Sequence, residues 1–467
     1  MANENAPVAA VEKHSVDFVP VAERHGRVID LFTLWFGTNI APLPIITGAL
    51  AVQVYGLTLW GAVTASVVGH ALGAIVLGLC SAQGPLLGVP QMLQSRGQFG
   101  RYGALLVVCF AAVLYVGFFT SNVILASNSI NAVFPAIAST TGAVIAGVAA
   151  AGIGVIGYNF IHWLNRIGTW VMGTSIVVGF WVVSSRLPPD LASRGSVTFN
   201  GWLGMMSVAV IWQVSYACYT SDYSRYLPRT VGVLRPFTAT YLGAVLGTSL
   251  SFIFGVLVVL VAPKGLGTMA AMRHATGILG PVLMVLFILN VISHNALNIY
   301  GATLSIITAV QTFVSSWVPE RRFRGILSAC VLTACLIAAV GAADDFVGRF
   351  MRFILAMLII LVPWAGINLV DFYLIKRRNY DVASLFAADG GIYGLLRPSA
   401  VIAYLIGIVV QLPFVTLPFY TGPIAIALHG ADISWLVSLL VTAPTYLLLD
   451  RWLKSRRHDG GLASSAP

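Results

Sequence analysis

Long apolar blocks alternate with short polar connections along this chain. A helix needs ~20 apolar residues to cross a bilayer, and twelve blocks are candidates: Leu31–Val52, Leu57–Cys80, Ala104–Ser129, Gly142–Asn159, Ile167–Ser185, Leu203–Ser221, Phe237–Ala262, Leu279–Thr303, Ile326–Ala343, Phe353–Val370, Ala400–Phe419 and Ile433–Leu449. None contains Asp, Glu, Lys or Arg, and the ninth is short. The first block is interrupted: Gly37, Asn39, Pro42, Pro44, Thr47 and Gly48 fall at mid-membrane depth. A lipid-facing helix gains nothing from residues that break its backbone hydrogen bonds. Where transporters break a helix near the midplane, the freed groups form the substrate site. The sixth block has no Pro, but it gathers Gln213, Ser215, Tyr216, Cys218, Tyr219 and Thr220 into a run too polar for lipid contact.

The two halves rhyme. Each has an interrupted first helix, an interfacial element before its third helix (Leu86–Gly103 and Gly265–Gly280), and two further helices. The pattern predicts an all-α integral membrane protein of twelve transmembrane helices. Helices 1–5 and 6–10 form a five-plus-five inverted repeat with discontinuous helices 1 and 6, and helices 11–12 are appended. Residues 1–30 form an N-terminal segment, 31–453 the transporter domain and 454–467 a short flexible tail.

Composition agrees: 58% of the 467 residues are hydrophobic and 9% charged, with a mean hydropathy of +0.89. That excludes a soluble globular protein and a disordered one. The net charge of +10 could suggest nucleic acid, but its distribution argues otherwise. With the N-terminus inside, 20 basic residues fall on inner connections and 6 on outer ones, which is the positive-inside pattern. Both termini are therefore expected in the cytoplasm, with the chain multi-pass in the plasma (cell inner) membrane, contacting lipid and no nucleic acid, as a monomer. The N-terminal stretch lacks the continuous apolar core of a signal peptide. Five cysteines, all in apolar blocks, read as small core residues rather than a disulfide framework.

Polar groups inside spans are functional candidates because burying them is costly. Ser293, His294, Asn295 and Asn298 cluster within about one and a half turns of helix 8. Asn295 and Asn298 share a face at i, i+3, and two carboxamides suit the edge of a heterocyclic base. Tyr115 to Phe119 of helix 3, and the pair Trp212-Gln213, offer stacking surfaces. His70 reads as a helix-packing residue.

These stretches resemble the nucleobase:cation symporter-1, or purine-cytosine permease, family from about Phe32 to Tyr380, and more loosely to the end. LWFGTNIAPLPIITGAL is similar to its unwound first helix, GVPQMLQSRGQFG to its loop before helix 3, and YTSDYSRYLPR to its Ser-Asp-Tyr-x-Arg-Tyr signature. SHNALNIYGATLS, DFVGRFMRF and NLVDFYLIKRRNYD resemble the helix 8 and helix 10 regions. The resemblance implies alternating access and a substrate held between helix 3 and helix 6 aromatics. By motif it places Ala41, Tyr115, Phe118, Gln213, Ser215 and Asn298 at the substrate, and the polar and aromatic pattern adds Trp212 and Asn295. Phe118 stands where several bacterial members have Trp. Gln213 replaces the helix 6 aromatic, for which Trp212 or Tyr216 could stand in.

For coupling, the resemblance places helix 1 carbonyls at Gly37 and Ile40 and a helix 8 hydroxyl at Ser293 as a Na⁺ site. Ile292 lacks the second hydroxyl, so the set is depleted. The coupling ion is H⁺ or Na⁺. A proton needs a titratable group, and His294 is the favoured one, with His70 and the helix-end Asp222 as the others. No cofactor is expected.

The expected function is secondary active import of a neutral nitrogen heterocycle, a nucleobase such as cytosine or a purine, by cation-coupled symport. Allantoin, hydantoin, thiamine and pyridoxine are alternative substrates, and a passive channel is the rival from another class. A membrane enzyme is not expected, because the spans contain no paired carboxylates and no metal cluster.

Overall fold

In a computed structural model of the chain, residues 17–463 are described except 157, 190–194, 264, 315–316, 318–319, 343–345 and 418–419. The first span is two helices, α1 (Val28–Asn39) and α2 (Pro42–Gln53), meeting at 56°. Pro42 starts α2, where a missing N–H costs nothing and φ is already helical. α3 (Leu59–Ser81) is the second span, and α4 (Gln83–Leu87) and α5 (Gln91–Phe99) follow it. Spans three to five are α6 (Ala104–Val133), α7 (Ser139–Ile156) and α8 (Tyr158–Ser184).

The sixth span is also double: α9 (Phe199–Ala217) and α10 (Thr220–Ser224), parted at Cys218 and Tyr219. α11 (Leu234–Val261), a short α12 (Thr268–Thr276) and α13 (Gly280–Phe313) give spans seven and eight. α14 (Arg321–Ala342) and α15 (Phe346–Leu369) are nine and ten. After α16 (Val382–Phe386), α17 (Pro398–Val409) is the eleventh, and after α18 (Pro423–Ala427), α19 (Ser434–Ala463) is the twelfth. Among the described residues, seven helices are long and apolar enough to cross a membrane, and the bent α1–α2 pair makes an eighth. Shorter apolar stretches lie in α7 (Ser139–Ile153), in α8 (Trp170–Ser184) and over α17 and the turn after it (Pro398–Phe414), and α9 carries the polar run.

The packing partners repeat under an exchange of each span with the one five later. Span 2 packs along span 6 as span 7 packs along span 1, in the contacts α3 with α9 and α11 with α1 and α2. Span 4 touches span 8 as span 9 touches span 3, and span 5 touches span 1 as span 10 touches span 6. Spans 3 and 8 face each other at the pseudo-axis. The same glycine device serves both halves. On α3, Gly69 and Gly73 face α9, and on α11, Gly243 and Gly247 face α1. A Cβ at Gly73 would lie 2.5 Å from the Val210 carbonyl oxygen, and one at Gly247 2.6 Å from that of Phe36. Only glycine admits backbones this close, the small-xxx-small solution to packing in lipid. Spans 1, 2, 6 and 7 thus form one interlocked body, and spans 3, 4, 8 and 9 another. α17 and α19 pack on each other and on α15.

Several boundaries differ from expectation. The eleventh helix, expected over Ala400–Phe419, ends at Val409. A 3-10 turn (Leu412–Phe414) and an antiparallel hairpin follow, β1 (Thr416–Leu417) with β2 (Tyr420–Thr421), pairing Thr416 with Thr421. Pro413 has no N–H with which to continue an α-helix. The tail expected from residue 454 continues α19 as far as Ala463. The segment before helix 3 is buried against the rest of the protein. Arg96 donates to the Thr308 and Leu385 carbonyls and Arg101 to those of Gln311, Thr312 and Ala387, tying α5 and its loop to α13. Of the cysteines, Cys80, Cys218 and Cys335 are core, whereas Cys109 and Cys330 are exposed on outward-facing helix surfaces.

Candidate functional site

One residue ties the first break to the sixth span. Asn39, the last of α1, is fully buried. Its Nδ2 donates to the Trp35 carbonyl (2.7 Å), its Oδ1 accepts from Trp212 Nε1 on α9 (3.0 Å), and its own carbonyl accepts from Ser251 Oγ (2.6 Å). Freed backbone at the first break is thus met by protein groups, as burial in an apolar medium requires. At the second break the substitutes are side chains. Ser215 Oγ donates to the Trp212 carbonyl (2.7 Å), Cys218 Sγ to that of Ser215 (3.3 Å), and Ser221 N to Gln91 Oε1 (3.3 Å).

Between the breaks lies a cavity of about 20 Å³, room for a water molecule but not for a heterocycle. Its walls are mostly aromatic. Phe118 and Tyr216 stack face to face, with centroids 5.8 Å apart and planes 25° apart, and Trp212 stands edge-on to both. Trp35 lies over Tyr219 at 6.3 Å. One end is polar. Asn122 Nδ2 on α6 and Asn298 Nδ2 on α13 both donate to Asn295 Oδ1 (3.0 and 3.1 Å), and Asn295 Nδ2 donates to the Phe119 carbonyl. Asn122 and Asn298 line the cavity, while Asn295 stands behind and orients them. His294 also lines it, and neither of its ring nitrogens has a hydrogen-bond partner. The lining contains no Asp, Glu, Lys or Arg. Among the described residues, no three His, Cys, Asp or Glu side chains converge as a metal site.

A family model described as permease for cytosine/purines, uracil, thiamine and allantoin matches residues 18–438. The chain belongs to this permease family. A Bacillus subtilis protein named "Putative purine-cytosine permease YxlA" is 33% identical over 94% of this chain and 96% of its own length. The purine-cytosine permease fcyB of Emericella nidulans is 23% identical over 94% and 88%. The fold matches Mhp1, a nucleobase-cation-symport-1 family transporter in a closed conformation with bromovinylhydantoin bound. The TM-score is 0.77 at 18% identity, over 95% of this chain and 96% of that one. The permease is a membrane transporter, not an enzyme, with the twelve-helix, five-plus-five architecture.

Within the permease, Ala41, Phe118, Trp212 and Asn298 line the cavity. Asn295 supports it from behind. Tyr115 sits one layer out, its ring 4.8 Å from that of the lining residue Tyr219. Ser215 is occupied within its own helix. Gln213 faces away, with its Nε2 near His70 Nδ1 (3.3 Å), Thr248 Oγ1 (3.1 Å) and the Ala244 carbonyl (3.4 Å). His70 packs there with its ring edge-on to Phe252 at 4.4 Å. Of the cation set, Gly37, Ile40 and Ser293 are buried outside the cavity lining. Gly37's carbonyl accepts from Ile40 N (3.2 Å) and from Asn290 Nδ2 (3.4 Å).

Among the lining residues that sequence reasoning missed are Trp35, Thr38, Asn122, Tyr219 and Tyr223. Spacing could have found some of them. Asn122 lies i+4 from Phe118, and Trp212, Tyr216, Tyr219 and Tyr223 recur at the three- and four-residue intervals of one helical stripe.

Proposed function

We propose that the permease imports a neutral, planar nitrogen heterocycle, a nucleobase in the first instance, by cation-coupled symport. The observation that carries this reading is the charge-free cavity where the two broken helices meet, with aromatic faces on its sides and two orientable carboxamides at one end. A planar base slides between Phe118 and Tyr216 when they part, and stacking supplies the affinity. Asn122 and Asn298 read the edge of the ring through their donors and acceptors. Opening is obligatory, because the present cavity has no room for a ring. The positive-inside distribution supports a cytoplasmic N-terminal segment and C-terminus, and a location in the plasma membrane.

For the ion we propose a proton. Gly37's carbonyl is engaged by two N–H donors, and a Na⁺ bound there would need that oxygen. His294, in the cavity wall with both ring nitrogens unpartnered, is placed to take a proton beside the substrate. The test is uptake of cytosine, adenine, hypoxanthine, uracil and allantoin into proteoliposomes. One set carries an imposed pH gradient without sodium, another a sodium gradient at equal pH. Accumulation of a base under the pH gradient, lost in His294→Gln, is expected. Accumulation driven by sodium alone and unaffected by His294→Gln overturns the proton, and no accumulation of any base under either gradient overturns the symport reading. Asn298→Ala should cost roughly 1–3 kcal/mol of substrate binding, because a buried ligand group goes unpaired. Thermal-shift titration checks it, since bound ligand raises apparent stability by mass action.

A further inference from the structure

The aspartate of the Ser-Asp-Tyr-x-Arg-Tyr signature does not line the cavity, yet it links the two bodies. Asp222 is buried on α10, in the body of spans 1, 2, 6 and 7. Its Oδ1 accepts from the backbone N–H of Gln91, the first residue of α5 (2.8 Å). Its Oδ2 accepts from the Tyr115 hydroxyl of α6 (3.2 Å). α5 is itself pinned to α13 by Arg96, so both partners belong to the opposite body.

The clasp is reciprocal. Gln91 Oε1 accepts from Ser221 N, beside Asp222 (3.3 Å). This is the logic of a capping box, in which a side chain caps a helix and the helix residue caps it back, carried out between two helices. A carboxylate at a helix N-terminus also meets the positive end of the dipole. Pro90 precedes α5 and gives no side-chain cap of its own, so Asp222 supplies the acceptor.

Position makes the clasp a gate. Tyr219 is in the cavity wall, Tyr115 packs on Tyr219, and Asp222 and Gln91 come next toward the face that carries the N-terminal segment. Arg225 lies beside Asp222 and reaches in the same direction. Its Nε donates to the Asp222 carbonyl (3.3 Å), its Nη1 to the Asp17 carbonyl (3.2 Å) and its Nη2 to the Tyr300 hydroxyl of α13 (3.5 Å).

We propose that Asp222 is a positioning residue of the transport cycle. Its carboxylate latches α10 to α5 and α6, and this latch must release before the cavity opens to the face bearing the N-terminal segment. The proposal rests on the alternating-access reading above, but not on which heterocycle or ion is carried.

Cys218, fully buried at the break four residues before Asp222, reports on it. In a background of Cys80→Ala, Cys109→Ser, Cys330→Ser and Cys335→Ala, the rate of Cys218 labelling by a membrane-impermeant thiosulfonate is measured without substrate. Vesicles of both orientations are used, sorted by a tag on the N-terminus. Charge-assisted hydrogen bonds are worth enough that Asp222→Asn should speed labelling about tenfold, only from the N-terminal face, and Tyr115→Phe should do so by a smaller factor. Asp222→Glu should restore most of the protection. Equal labelling of wild type and both loosened variants overturns the latch, as does acceleration from both faces, which would mark general loosening. If Asp222→Asn does not fold, Tyr115→Phe decides alone. Failure of base uptake in wild type, with one-sided labelling intact, would sink the substrate reading and leave the latch standing.

Discussion

The two breaks at the centre of the molecule occupy equivalent places in the two repeats and are built by opposite means. The break in the first span is written into the backbone. Pro42 and Pro44 withhold amide hydrogens from the turn that would join α1 to α2, and Ile40 and Ala41 adopt extended or irregular conformations. The break in the sixth span has no proline and no glycine. Tyr219 leaves the helical region (φ −140°, ψ 10°); freed groups are taken up locally by the Ser215 and Cys218 side chains and, from α5, by Gln91, while Asp222 ties α10 to α5 and α6. A break made by proline persists wherever its neighbours go. A break held in part by tertiary hydrogen bonds depends on those neighbours and can change when they move. The symmetric fold thereby acquires functional asymmetry, with a fixed hinge on one side of the cavity and a switchable one on the other.

The largest effect should come from the residue that ties the first break to the sixth span. Asn39→Ala removes the acceptor of the buried Trp212 N–H and the donor to Trp35 together. Leaving such groups unpaired should cost roughly 2–4 kcal/mol, read as a marked fall in melting temperature of the detergent-purified protein and loss of uptake. An unchanged melting temperature would show that the breaks are held independently, and would dissolve the comparison.

Next come the paired glycines. Gly73→Ala and Gly247→Ala each place a Cβ against a partner carbonyl, at nearly equal distances in the two halves. Each should destabilise by about 1–3 kcal/mol through overpacking, and by similar amounts. A severe effect at one and none at the other would mean that the repeats share packing partners without sharing packing energetics.

A smaller effect is expected at the wall between the breaks. Phe118→Ala should weaken base binding by about 1–2 kcal/mol, losing the stacked face opposite Tyr216, while Phe118→Trp should be milder because a flat surface remains. Equal binding by wild type and the alanine variant would take Phe118 out of the site.

The same contrast explains what could be read from the chain. The first break was legible because Gly37, Pro42 and Pro44 are local signals. Helix 6 showed only polarity, since the tertiary partners of its break, Gln91 of α5 and Tyr115 of α6, lie far away in sequence. Its rotational phase was illegible for a related reason: α9 is buried on nearly every side from Gly204 to Ala217, and an apolar stripe phases a helix only when another face meets solvent or lipid. The resemblance therefore fell on Gln213, whereas the ring that stacks with Phe118 is Tyr216, almost one turn on. Asn298 was legible because polar side chains in an otherwise apolar span are few.

The smallest predicted effect bears on which groups hold the second break. Ser215 was a substrate candidate by motif, yet its hydroxyl is spent on the Trp212 carbonyl three residues earlier in its own helix. That carbonyl can be bonded in other ways once the hydroxyl is gone, and an intrahelical side-chain bond of this kind is worth only about 0.5–1 kcal/mol net. Ser215→Ala should therefore shift the melting temperature slightly, leave base affinity within about twofold of wild type, and leave Cys218 as protected from thiol reagents as before. Asp222→Asn should do the reverse, with modest change in melting temperature and large change in protection. If Ser215→Ala instead exposed Cys218, the break would be held from within helix 6, and the idea of a switchable hinge governed by α5 and α6 would lose its basis.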